Sequence, residues 1–280
     1  MKKFLKRLFS SRKRRLLIFG AVLLALLSYL SYLGLAMLLV SPVEISLEKL
    51  RRSFNEEPVC HEVCAAAREA ISAALVKELR ERPDSKSAGY LQTYFLNHEN
   101  NLDFRIRLIG IIREIVGSDS PPGYIKDFIA TGDNSLIRAG ILSNFSASAL
   151  SAEANSPDYY YKILAGQEDL PVKLAAIGAL SSLADKENFF DSGQLELIKK
   201  IIFDSGTDKR LRQPLILLLG DYYPLLPDET ENILTAFYLT ESSGDTISRA
   251  FAADILNRLS EEELSVPEVS PEEWEEYYNN

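Results

Sequence analysis

From Leu16 to Val40 the chain runs for twenty-five residues without a charged side chain. As a helix rising about 1.5 Å per residue, such a run crosses a hydrocarbon core of roughly 30 Å with some tilt. Lys2, Lys3, Lys6, Arg7, Arg12, Lys13, Arg14 and Arg15 precede it, with no acid among them. The positive-inside bias holds these residues in the cytoplasm and sends the rest of the chain across. The expected arrangement is a basic cytoplasmic segment over 1–15, a transmembrane helix over 16–40 lodged in the inner membrane, and an extracytoplasmic remainder. A cleaved signal peptide is the competing reading, and Gly34-Leu35-Ala36 offers a small-x-small site. Signal-peptide apolar cores usually span about 7–15 residues, which favours an uncleaved anchor. Ala21, Ala25 and Ser28 share a face of the span, a spacing that lets helices approach closely and suits a homodimer.

The net charge of −9 hides an asymmetry. With eight basic residues in the first fifteen, the remaining 265 sum to −17. An acidic body of this kind argues against non-specific nucleic-acid binding.

Ser41-Pro42-Val43-Glu44 has the order of a helix start, with Ser as N-cap, Pro at the first helical position and Glu closing a capping box. Val43, Leu47, Leu50 and Phe54 then follow at spacings of 4, 3 and 4, one helical face. That face suits a short stalk, a helix lying on lipid, or packing on the domain beyond it. A second helix is expected from Pro58 to about Arg82, burying Val59, Val63, Ala67, Ala70, Ile71, Ala74 and Leu75. Its Cys60 and Cys64 are the only cysteines in the chain. Outside the cytoplasm they could form a disulfide, although i and i+4 on a regular helix sit near the distance limit. Two buried thiols are the alternative. His61 lies between them but projects about 100° away from Cys60, and a fourth ligand is lacking, which makes a metal site poor. Residues 41–86 therefore read as juxtamembrane and capping helices.

Beyond residue 87 the chain repeats itself. Ile106-Arg107, Ile137-Arg138, Val172-Lys173 and Leu211-Arg212 each open a run of small and aliphatic residues, and Ile247-Ser248-Arg249 is a looser version. An acid or Asn precedes each: Asp103, Asn134, Asp169, Asp208 and Asp245, all suited to cap a helix. Partner helices are expected at Ala88–Asn97, Tyr124–Ala130, Asp158–Ala165, Gln194–Phe203 and Glu229–Leu239. Breaks fall at Pro121-Pro122-Gly123, Thr131-Gly132, Ser205-Gly206 and Pro224. No stretch sustains strand alternation. The expected fold is all-α, with about five helix pairs over 87–260.

The pattern Asp-x-x-Val-Lys-x-Ala-Ala-x-x-Ala-Leu at Asp169–Leu180 resembles the HEAT repeat in its short bacterial form. The resemblance implies an α-solenoid in which successive pairs stack and the second helices line one face. Pro214 departs from the pattern and should kink its helix or delay the start. In this repeat class the recurring Arg or Lys usually bonds to neighbouring loops or to the preceding repeat's Asp; the competing reading is an anion-binding stripe. Tyr159-Tyr160-Tyr161, Phe189-Phe190 and Tyr222-Tyr223 are aromatic clusters at element boundaries that could fill the core or anchor a partner.

No catalytic residue, cofactor site or metal site is expected. The chain has two histidines, His61 and His98, and His98 sits in the polar run Asn97–Asn101. No G-x-S-x-G, H-E-x-x-H, P-loop or Rossmann glycine string occurs. Asn144-Phe145-Ser146 is a formal glycosylation sequon. Residues 261–280 hold eight Glu and no basic residue and are expected to be disordered. Trp274, Tyr277 and Tyr278 within them are candidate anchors for a basic, grooved partner. The function these features suggest is a single-pass, extracytoplasmic scaffold that binds proteins on a helical-repeat surface. A structural subunit of an envelope complex is the first alternative. An enzyme is the second, by resemblance to the phycobilin lyase group of HEAT-repeat proteins.

Overall fold

The structure, a computed structural model, describes residues 41–55, 61–81, 83, 85–150, 156–183, 192–240, 245–259 and 264–279. The basic segment, the apolar run Leu16–Val40, Cys60 and Phe189-Phe190 lie outside the described residues. Among the described residues fourteen helices occur and no strand, so the all-α expectation holds. None of these helices is long and apolar enough to cross a membrane. The chain divides into two compact units, 1–97 and 98–280.

In the first unit, α1 (Pro42–Asn55) packs against both α2 (His61–Glu81) and α3 (Ser85–Leu96). It starts where the Ser-Pro-x-Glu signal placed it. Val43, Leu47 and Leu50 are buried, while Phe54 is half-buried under the Arg68 guanidinium, 4.4 Å from the ring centre. Arg68 also donates from Nε and Nη2 to the Ser53 carbonyl at 3.0 and 2.6 Å, which ties α2 to the end of α1.

Of the face expected to be buried in α2, Leu75 is buried and Ile71 half-buried, Val59 and the Val63 side chain lie outside the described residues, and the alanines differ. Ala67, Ala70 and Ala74 are exposed, and Ser72, Leu75, Val76 and Leu79 are buried. Burial follows apolar area, and large aliphatic side chains outweigh alanine methyls in setting the helix's rotation. The α3 helix, expected to open the repeats, packs instead on α1 in this unit, with Leu91 and Phe95 buried.

The second unit begins with α4 (Leu102–Val116), followed by α5 (Gly123–Thr131), α6 (Ser135–Asn144) and the single turn α7 (Ala147–Leu150). Then come α8 (Ser156–Ala165), α9 (Leu170–Ser181), α10 (Ser192–Phe203) and α11 (Lys209–Tyr222). The chain continues through α12 (Pro227–Leu239), α13 (Thr246–Leu259) and α14 (Pro271–Asn279). The helices α4, α6, α9, α11 and α13 form one row, each packed on the next. Against that row lie α5 on α6, α8 on α9, α10 on α11 and α12 on α13.

At two joints in the row the helices approach closely at a glycine. A Cβ at Gly140 would lie 3.2 Å from Ile109 Cδ1, and one at Gly220 would lie 3.3 Å from Ile255 Cγ2. Pro214 does not delay α11, which starts five residues earlier at Lys209. Within that helix the Arg210 carbonyl therefore lacks its usual amide donor.

Candidate functional site

The row is set by a repeated cap. Asn101 Oδ1 accepts from the amides of Asp103 and Phe104 at 2.9 and 3.4 Å, and Asn134 Oδ1 accepts from Ile137 at 3.0 Å. Asp208 accepts from Arg210 at 2.9 Å, and Asp245 from Ser248 at 3.0 Å. Asp169 stands at the cap position without a side-chain bond, and Pro171 opens its helix. The first cap is thus Asn101 and not Asp103. Counting four residues on from each cap gives Arg105, Arg138, Lys173, Arg212 and Arg249, so Arg105 replaces Arg107 in the series. Arg105 is buried beside the Phe128 ring, while Arg107 is half-exposed.

These basic residues bind the fold together. Arg138 Nε donates to the Ile129 carbonyl at the end of α5, and its two terminal nitrogens grip Glu168 at 2.7 and 2.9 Å. Arg212 donates to the Asp204 carbonyl after α10 at 2.8 Å and to Asp245 at 3.4 Å. Arg249 Nε donates to the Tyr238 carbonyl in α12 at 3.1 Å. Each cation therefore closes the C-terminal end of its own pair's first helix, where the helix dipole favours positive charge. In the Arg138 and Arg212 rungs it also holds an acid of the following pair, the opposite direction to the expected preceding-repeat Asp. These three arginines are occupied within the fold and do not form an anion-binding stripe.

The aromatic clusters divide their rings between core and surface. Tyr160, Tyr161 and Tyr222 are buried, with Tyr161 donating to Tyr222 at 3.4 Å. Burial alone pushes Tyr124 up to about 12, and burial chiefly does the same to Tyr160. Tyr159 and Tyr223 remain half-exposed. Asn144 donates to the Gly140 carbonyl at 2.8 Å as the last residue of α6. His98 is exposed. Cys64 is half-buried in the first turn of α2 and is disulfide-bonded. Among the described residues no three His, Cys, Asp or Glu side chains gather to hold a metal ion.

An open surface runs along the row. Nine residues beyond each cap stand Gly110, Ser143, Gly178, Leu217 and Asp254. The last four are exposed, and Gly110 is half-exposed. Six residues beyond each cap stand Arg107, Gly140, Ala175, Pro214 and Phe251, all half-buried. The two positions face the same side, because three residues advance a helix by less than one turn.

At its far end the Phe251 position of this surface, though not Asp254, is covered by the segment expected to be disordered. Residues 264–279 take a defined course. Asn257 fixes Leu264 by two bonds, at 2.9 and 2.7 Å, and Tyr238 donates to the Ser265 carbonyl at 2.9 Å. α14 then starts with a reciprocal capping box in which Ser270 N donates to Glu273 and Glu273 N to Ser270 Oγ, at 2.8 and 3.2 Å. Those bonds, with Pro271 at the first helical position, stabilise a helix that the acidic composition disguised. Trp274 meets the Phe251 ring edge-on at 6.4 Å, and Tyr277 meets Trp274 at 6.3 Å. Ser270's amide, then the Thr246 hydroxyl, hold the Glu273 carboxyl below its usual range.

A cavity of about 380 Å³ remains between α14 and the first turns of α11 and α13. Arg210 lines it and is folded onto Asp208 at 3.0 and 2.8 Å; this contact holds the Asp208 carboxyl below its usual range. Trp274 and Tyr277 are thus brought together on the row. The Tyr278 side chain and Cys60 lie outside the described residues. Phe251, Thr246 and Arg210 were missed as parts of this site. The signal for it was Ser270-Pro271-Glu272-Glu273, the same order as Ser41–Glu44. No family model matches the chain, and no characterised protein or solved structure shows significant similarity to it.

Proposed function

We propose that this chain is a membrane-anchored, extracytoplasmic scaffold that binds proteins along a HEAT-like helical-repeat surface. The observation that carries this reading is the register of the row. One outward position per second helix, nine residues past the cap, stays open from α6 through α9 and α11 to α13. A strip of small or apolar positions at Ser143, Gly178 and Leu217, ending at the acidic Asp254, with few long side chains to order, suits an extended partner. The placement rests on the charge-free run Leu16–Val40 and the eight basic residues before it. The disulfide-bonded state of Cys64 supports an oxidising compartment, with Cys60 as the other cysteine of the chain.

The test is site-specific photocrosslinking in cells with the full chain. Probes at Ser143, Gly178, Leu217 and Asp254 are expected to capture the same protein partner. Probes at Lys126, Lys162 and Lys199 on the first helices are expected to capture none. Crosslinks only from the first-helix positions would overturn the assignment of the face. Resistance of the second unit to protease added outside the inner membrane, with cleavage after lysis, would overturn the sidedness.

A further inference from the structure

The α14 helix lies on the surface assigned above to a partner, and no side chain from Pro271 to Tyr277 is fully buried. Every other helix of nine or more residues in the second unit buries several side chains. Its contacts include edge-on rings and a bond from Glu273 to Thr246, and it faces a cavity whose opposite wall carries Lys209, the Arg210–Asp208 ion pair and Asp245. Tyr277 and Arg210 line the same cavity. Few buried apolar contacts mark the elements of lowest local stability. Beyond α14 the same strip continues over half-buried Pro214 to exposed Leu217.

Resting on the scaffold reading, we propose that α14 is a displaceable strap covering a peptide-docking site at the α11–α13 end of the row. The partner that fits is a helical segment of another protein with aromatic side chains three residues apart on one face and carboxylates around them. The aromatics would take the place of Trp274 and Tyr277 on Phe251. The carboxylates would take the places of Glu273 and Glu276, facing Thr246 and Lys209 across the cavity. A partner longer than α14 gains contact with the exposed Leu217.

Trp274 is the only tryptophan of the chain and reports directly on the strap. The probe is a synthetic peptide of residues 266–279 carrying W274F, which is silent at tryptophan wavelengths. It is titrated into the full chain while acrylamide quenching of Trp274 is followed. Tethering gives the strap an effective concentration of order mM, so the peptide must reach that range.

Quenching is expected to rise saturably towards that of an unmodified 266–279 peptide free in solution. Glu273→Gln, which weakens the cap and the Thr246 contact, should lower the required peptide concentration several-fold. Phe251→Ala should leave Trp274 fully quenchable before any peptide is added. Quenching that stays at the docked level at several millimolar peptide, in both the parent chain and the Glu273→Gln variant, would make α14 a fixed part of the fold and overturn the proposal. So would a Trp274 already as quenchable as the free peptide in the parent chain. Neither result depends on the crosslinking partner, so this proposal can fail while the scaffold reading stands.

Discussion

The rungs built on Arg138 and Arg212 hold neighbouring helix pairs together with the same side chain in the same register, yet their surroundings differ. Arg138 and Glu168 keep 22% and 27% of their side-chain surface in water and meet through two good bonds. Arg212 and Asp245 keep 6% and 2%, meet at 3.4 Å, and leave Arg212 Nε without a hydrogen-bond partner. A half-exposed pair gains modestly from its attraction, because water screens it and solvates either partner left alone. A buried pair loses its hydration, so its net gain is small, but removing one member strands the other. The shorter, better aligned bridge is therefore the less sensitive one. Distance alone would rank them the wrong way round.

Arg212→Ala is the largest break in this comparison. It leaves Asp245 buried against Ser248, takes the donor from the Asp204 carbonyl, and should cost about 3–5 kcal/mol. Stacked repeats are coupled mainly to their neighbours, so the loss should appear first at the α11–α13 joint. Trp274, held on Phe251 of α13, is expected to change its fluorescence at lower urea than the helical circular dichroism does. A parent-like, coincident transition by both probes would show that Arg212 is replaceable. The double replacement Arg212→Met with Asp245→Ser should recover much of the loss, because it removes both charges.

The register of these rungs was only partly legible in the sequence. Apolar-basic dipeptides located four of the five second helices in phase, because Asn134, Asp169, Asp208 and Asp245 all stand four residues before the cation. At α4 two candidate caps and two arginines compete, Asn101 with Arg105 and Asp103 with Arg107. The choice turns on which arginine points inward. Phe104, Leu108, Ile111 and Ile112 bury one face, and Arg105 goes in with it, a tertiary preference the local pattern does not encode. The segment 264–279 was misread for another reason: eight glutamates in twenty residues outweighed a two-bond cap. Its docking on Phe251 is long-range and carries no sequence period. Asn101→Ala should therefore cost about 1 kcal/mol of stability, the usual worth of an N-cap. Asp103→Ala should change the urea midpoint by less than half as much. Equal effects would return the cap to Asp103.

The Arg138 rung gives the smallest effect and the clearest sign. Hydrogen bonds from Arg138, ahead of any other cause, hold the Glu168 carboxyl below its ordinary value of 4.5. A carboxylate whose pKa is lower folded than unfolded stabilises the fold above its unfolded pKa, and that contribution disappears as pH falls through the folded one. Glu48 behaves alike in the first unit, where Arg51, then Arg52 and Tyr94, donate to it and hold it at about 2. Total stability will fall with acid for both reasons, so the rung is isolated by difference. Arg138→Met should cost about 0.5–1 kcal/mol near pH 6, given how exposed the pair is. The gap between the two chains should narrow steadily from pH 5 towards pH 3 and shrink in 1 M salt. A gap that persists unchanged at pH 3 would mean that Arg138 acts mainly through the Ile129 carbonyl. In that case the bond closing α5, and not the bridge to the next pair, would be what the repeated arginine supplies.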